Sequence, residues 1–199
     1  MSIITKKGDN GYTRLFDGTK VLKSSIRPET YGLVDELFSF LGIVKFKFKN
    51  EKKYIRLDAQ NKLKGFTEYL DIITNDEILY FDSLINIIQK KLMVVMSELA
   101  VKKKNVEKFC KDRVGHIDIS AIEIICQELE REIGKLNSFI IPGENDLEAY
   151  LNYARALTRK VERKVIKTKK LIRNDSCIII YLNRLSDLLF LLSLYSLRK

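Results

Sequence analysis

The chain has 199 residues, 46% hydrophobic and 31% charged, the size and composition of one soluble globular domain with a sizeable core. Its two prolines and nine glycines argue against a loop-rich all-β fold. A formal net charge of +10 favours an anionic partner, whether nucleic acid, a membrane surface or a phosphorylated small molecule, without choosing among them.

Residues 1–27 are glycine-spaced and carry no helical period, so they read as an ordered loop or arm. The start, MSIITKKGDNG, lacks an apolar signal core and is not rich in Arg and Ser, which sets the expectation of a cytoplasmic protein. Pro28 suits the first turn of a helix, where its missing N–H costs nothing. From there Leu33, Leu37, Phe40, Leu41 and Val44 recur at helical spacing. KFKFKNEKKYIRLDAQNKLKG fits either a loop or an extension of that helix. LINIIQKKLMVVMSELA predicts a second helix over 84–100. VKKKNVEKFCKDRVGH reads as a solvated basic connection. Asp118 or Ser120 is placed to cap ISAIEIICQELEREIGKLNSF, and Pro142-Gly143 ends that unit. Asp146 is placed to cap the helix containing ARALTRKVER. Asn174-Asp175-Ser176 breaks the chain before CIIIYLNRLSDLLFLLSLYSL. That last run holds Asn183, Arg184 and Asp187 at its middle, costly in lipid, so it reads as a buried core helix and not a membrane span. Four or five long helices without convincing strand alternation predict an all-α antiparallel bundle in a single domain, 1–199, with an arm at 1–27 and the bundle at 28–199.

The residues with chemical potential lie in separated stretches. Arg155, Arg159, Glu162 and Arg163 fall within roughly a third of their helix circumference, with Lys160 close by. The apolar Leu147, Leu151, Ala154, Val161 and Val165 occupy the neighbouring face. Two readings stand: a solvated basic face, or a cationic wall lining a pocket for a polyanion. In TKKGDNGYTRLF, Gly8 and Gly11 allow close backbone approach, and Lys6, Lys7, Thr13 and Arg14 offer phosphate donors; the alternative is a surface turn. Asp35 and Glu36 interrupt an apolar helix or are ordinary surface carboxylates. Asn183 and Asp187, four apart on an apolar helix, read as a buried polar pair needing partners, functional or structural. The odd set Cys110, Cys126 and Cys177 reads as buried free thiols, and a single histidine, His116, argues against a His-based zinc site or an ordinary Ser-His-Asp triad.

Taken in order, TKKGDNGYT, YGLVDEL, IIQKKLMVVMSELA, FIIPG, ARALTRKVER and YLNRLSDLLF resemble the PduO-type ATP:cob(I)alamin adenosyltransferases. The resemblance covers most of the chain except roughly 47–80 and 101–113. It implies a five-helix bundle assembling as a homotrimer, with active sites between subunits. It implies transfer of the 5′-deoxyadenosyl group of ATP to Co(I) of cobalamin or a related corrinoid, with release of triphosphate. Mg²⁺ would accompany ATP. By motif match, Thr5, Lys6, Lys7, Gly8, Thr13, Arg14 and Lys23 would be the arm's ATP contacts. Arg159, Lys160, Val161, Glu162, Arg163 and Asn183 match the contacts from the helices, with Glu162 orienting arginines or helping to hold Mg²⁺. Asp35 matches an acidic residue that pairs across the interface with the arginine at Arg155. Phe139 matches the aromatic that closes the lower face of the corrin. A corrinoid reductase and an adenosylcobalamin-dependent enzyme are implied partners; nucleic acid and membrane are not.

The chain departs from the family's pattern at Asn152, where His is usual, at Lys160, where Arg is usual, and at Gly143-Glu144, where two glycines are usual. These departures bear on affinity and corrin preference more than on reaction type. Two competing readings are a basic helical nucleic-acid-binding or scaffold protein, and a family-shaped protein that only delivers adenosylcobalamin.

Overall fold

A computed structural model of the chain describes residues 4, 6, 8–57, 67–74, 76–135 and 141–198. The arm is not a plain loop. It holds a hairpin of β1 (Tyr12–Arg14) and β2 (Lys20–Leu22), antiparallel with Thr13 opposite Val21. Three-residue strands are too short to show alternation in the sequence. Helix α1 (Ile26–Glu51) begins two residues before Pro28, from an extended Ser25. Pro28 is thus its third residue, still among the N–H positions that a helix start leaves unpaired. The ambiguous lysine-rich stretch divides. Its first part extends α1, with Val44 and Phe48 buried, and its next part is β3 (Tyr54–Arg56), paired antiparallel with β4 (Ile78–Tyr80). A short α2 (Thr67–Leu70) lies between these strands.

Helix α3 (Phe81–Leu99) buries Phe81, Leu84, Ile85, Ile88, Leu92, Val95 and Leu99, a 3.6-residue stripe. The basic connection contains a short helix, α4 (Val106–Phe109), seated by buried Val106. Helix α5 (His116–Ile133) starts from Gly115, so neither Asp118 nor Ser120 is its N-cap. Asp118 sits in the first turn and reaches back, its Oδ2 accepting the Gly115 N–H at 2.9 Å. Helix α6 (Asp146–Lys167) is capped by Asn145, whose Oδ1 accepts the Glu148 N–H at 2.8 Å; Asp146 is the first helical residue and pairs instead with Lys47. Helix α7 (Ile178–Ser196) follows the predicted break.

Helix α1 packs on α3 and α6, and α7 packs on α5 and α6. The molecule is mostly helical, with one main core and two small sheets among the described residues. Helix α7 has the length and composition to cross a membrane, yet 61% of its apolar window is buried inside the protein. Its Tyr181, Leu182, Leu185, Leu188 and Leu192 have no exposure, as expected of a core helix.

One carboxylate docks the arm on this scaffold. Asp17 Oδ2 accepts the Lys102 N–H at 3.0 Å and Asn105 Nδ2 at 2.8 Å, while Oδ1 accepts the Thr19 N–H at 3.0 Å. Next to it the Phe16 N–H donates to the Ala100 carbonyl at 2.8 Å. Desolvation raises the Asp17 pKa, but the hydrogen bonds from Asn105, Lys102 and Thr19 outweigh it and hold the carboxyl well below the usual carboxylate range. A depressed folded-state pKa means the docking is at full strength above the ordinary aspartate value of about 3.9 and fails only as pH falls through the lower folded value. The Thr19 and Lys102 amide resonances should therefore hold still from neutral pH to below that ordinary value. A midpoint at the ordinary value would contradict the docking.

Candidate functional site

Among the described residues, two cationic grooves gather residues singled out by the motifs. The first belongs to the arm. Its loop is tightened by Asp9 N–H to the Lys6 carbonyl and Gly11 N–H to the Gly8 carbonyl, both 3.3 Å, and closed by Lys23 N–H to the Gly11 carbonyl at 2.9 Å. A groove of about 580 Å³ is lined by Gly8, Asn10, Tyr12, Thr13, Arg14, Lys20 and Lys23. A Cβ at Gly8 would stand 3.0 Å from Lys23 Nζ, so the missing side chain lets that ammonium lie against the loop. Arg14 Nη1 donates to the Gly18 carbonyl at 2.9 Å, and Lys20 sits 4.3 Å over the Tyr12 ring. Burial raises the Tyr31 hydroxyl pKa, opposed by the nearby Thr13 side chain. The structure therefore brings Gly8, Thr13, Arg14 and Lys23 together; Thr5 and Lys7 lie outside the described residues, and Lys6 is exposed.

The second groove, about 520 Å³, runs between α1 and α6 and includes Glu29, Glu36, Lys160, Arg163, Lys164 and Lys167 in its lining. Lys164 pairs with Glu29 at 2.6 Å and Lys160 with Glu36 at 3.6 Å. Arg159 and Arg163 are exposed and have no hydrogen-bond or ion-pair partner among the described residues. Val161 is fully buried, so its side chain belongs to the core and not to the charged stripe. No described residue lines both grooves.

Beside the stripe, Glu162 Oε1 accepts Asn183 Nδ2 at 3.4 Å, and Arg184 Nη1 donates to Asn183 Oδ1 at 2.8 Å. Arg184 also pairs with Glu123 at 2.7 Å and Asp187 at 3.5 Å. The expected buried Asn183–Asp187 pair is thus corrected: Asn183 is half-buried, Asp187 is exposed, and Arg184 joins them. Asp35 is exposed and makes no bond to Arg155 within the chain. Arg155 instead donates from Nε to Asn152 Oδ1 at 3.2 Å and lies 5.9 Å from the Phe190 ring centre. Phe139 lies outside the described residues.

This arrangement offers a set of cationic donors and, among the described residues, no activated thiol. Burial pushes the Cys126 thiol up to about 12 and raises Cys110 and Cys177, so all three remain protonated at neutral pH. Cys110 and Cys177 are buried and Cys126 half-buried. Among the described residues no three His, Cys, Asp or Glu side chains cluster to hold a metal unaided. Sequence reasoning missed Asp17, whose Asp-Gly turn was its only signal, and Glu148, discussed below.

Comparison with known proteins gives a consistent result. The family model described as cobalamin adenosyltransferase matches residues 3–196. The chain is similar to a corrinoid adenosyltransferase of Citrobacter freundii, 35% identical over 188 residues that cover 94% of this chain and 90% of that protein. It is similar to a corrinoid adenosyltransferase of Mycobacterium leprae, 31% identical over 96% of this chain and 88% of that one. Among solved structures it is similar to a variant PduO-type ATP:corrinoid adenosyltransferase from Lactobacillus reuteri complexed with cobalamin and ATP. The TM-score is 0.74 at 24% identity, covering 98% of this chain and 90% of that chain, a likeness of fold.

Proposed function

This chain belongs to the cobalamin adenosyltransferase family, and on that premise we propose that it transfers the 5′-deoxyadenosyl group of ATP to Co(I) of cobalamin or a related corrinoid. Co(I) attacks the 5′ carbon, the carbon–oxygen bond breaks, and its electron pair leaves with triphosphate. Cobalt is the nucleophile, so the protein needs no Ser, Cys or His for that role. Its work is to hold two reactants in line and stabilise the departing triphosphate.

The observation that carries this reading is the pair Arg159 and Arg163, exposed on α6 without partners among the described residues. Two unpaired guanidiniums one turn apart suit phosphate oxygens. Lys160 adds a point charge, and Arg14, Lys23 and the Gly8 loop supply the arm's donors, with Thr5, Lys6 and Lys7 beside them in sequence. Glu162, with Asn183 on one oxygen, fits Mg²⁺ bound in the usual nucleotide manner. Glu162 would be the residue that holds the ion, with Asn183 fixing its side chain. The ion would neutralise charge on the phosphates. Phe139 closes the corrin's lower face in this reading.

Among the described residues the two grooves share no lining residue, which fits a site completed between subunits of a homotrimer, the arm of one meeting α6 of the next. The five long helices, α1, α3, α5, α6 and α7, are then the five-helix bundle. A corrinoid reductase and an adenosylcobalamin-dependent enzyme would stand before and after it.

Lys23→Ala and Arg159→Ala test the assignment against Lys103→Ala in the basic connection, where Lys103 bonds Asn174 Oδ1 at 2.6 Å. Loss of a charge-assisted phosphate contact is worth about 1.5–3 kcal/mol, or roughly ten- to a hundredfold in kcat/KM for ATP. The first two variants should show that loss and the third should not. Equal, mild losses in all three would return the charge to a general surface role.

A further inference from the structure

Glu148 on α6 has 0% exposure and no paired cation among the described residues. Both of its oxygens are taken by N–H donors from different places. Oε2 accepts the Gly143 backbone N–H at 2.7 Å, and Oε1 accepts Asn152 Nδ2. Asn152 is also buried, and its Nδ2 donates again to Ser193 Oγ on α7 at 3.3 Å. With its NH₂ committed to that side, the amide turns Oδ1 the other way, where it accepts Arg155 Nε at 3.2 Å. Glu148, Asn152 and Arg155 follow one another at i, i+4 and i+7, so one helix face carries the whole chain of contacts. At the other end Gly143 has φ 124°, a region that excludes most side chains, so the turn that offers its N–H to Glu148 needs glycine there.

An amide can sit either way round, and here a group that only accepts makes the choice. We propose that Glu148 is a positioning residue for the adenosyl transfer. It fixes the Asn152 amide so that its oxygen holds Arg155, and the same carboxylate holds the turn at 141–143. The inference rests on the reading of Arg155 as a site residue. It also gives the Asn152 departure a physical basis. An imidazole accepts at one nitrogen and donates at the other; Asn152 does both as well, provided a partner such as Glu148 orients it.

Glu148→Gln keeps the volume but has one acceptor oxygen and one NH₂, so one of the two N–H donors loses its partner. The Arg155 Nε–H resonance, identified as the one lost in Arg155→Lys, gives a readout independent of activity. In Glu148→Gln and in Asn152→Ala it should move and exchange with solvent about tenfold faster. Glu148→Gln should also lower kcat by about three- to tenfold with KM for ATP nearly unchanged, and add nothing further to Arg155→Ala. An unmoved Arg155 resonance overturns the proposal whether or not the chain adenosylates a corrinoid. Fully additive losses in the double variant overturn it as well. Should the Gln variant fail to fold, Asn152→Ala carries the same resonance test. A parent protein that adenosylates nothing counts against the reading of the site, and the resonance still decides the contact.

Discussion

Arg173→Ala should melt roughly 6–20 °C below the parent at equal protein concentration, from a loss of about 3–5 kcal/mol and about 2–4 °C per kcal/mol at this size. Arg173 is 7% exposed and Glu98 3%. Arg173 Nε and Nη2 donate to Glu98 Oε2 at 3.0 and 2.6 Å, and its backbone N–H donates to Oε1 at 3.3 Å. Burial lowers the guanidinium pKa, but the Glu98 carboxylate outweighs that and raises it. Cutting the arginine strands a buried carboxylate, which is the source of the large cost. Replacing both residues together with apolar ones of similar volume should recover much of the loss. A melting temperature within a few degrees of the parent for Arg173→Ala alone would contradict the pairing. The effect should reach function. The pair pins the turn near 169–171 to the end of α3, where the arm docks. Arg27 bonds the Leu99 and Leu171 carbonyls at that same place.

Asp35→Asn should impair assembly, activity or both, by about 3–5 kcal/mol if it breaks one half of an ion pair buried between subunits. Among the described residues Asp35 has no partner, and Arg155 has only Asn152 and the Phe190 face. In the proposed homotrimer the two charges would meet across the subunit boundary. Light scattering coupled to size exclusion measures the assembly, and a nucleotide assay measures the activity. Wild-type behaviour of Asp35→Asn in both would remove the intersubunit pair.

The helices were legible because burial imposes a period on them. Leu37, Leu41 and Val44 mark α1, although the expected Leu33 and Phe40 are only half-buried and Val34 is the buried residue beside them, and Leu84, Ile88, Leu92 and Val95 line the buried face of α3. The strands were not legible, since three residues cannot display alternation. Helix starts moved by a few residues because backbone geometry, at Ser25 and Gly115, selects the cap as much as side-chain type does. Position in sequence also hides partners. Glu98 and Arg173 are 75 residues apart, and Asp17 finds Lys102 and Asn105 across the arm–bundle contact. Periodicity placed Arg159 and Arg163 on one face, yet it is the ordered motifs, and not the period, that favour a polyphosphate wall over a solvated one. The Asn183–Asp187 reading erred on depth: i, i+4 spacing gives a shared face but not how much of that face is covered.

The most direct test is incubation of the protein with ATP, Mg²⁺ and chemically reduced cobalamin under anaerobic conditions, following the corrin absorption spectrum and free triphosphate. The Co(I) spectrum should give way to that of a light-sensitive alkyl-cobalt(III) corrin, with triphosphate released in equal amount. A Co(I) spectrum that persists, or decays only as fast as it does without protein, with no triphosphate formed, would contradict the account.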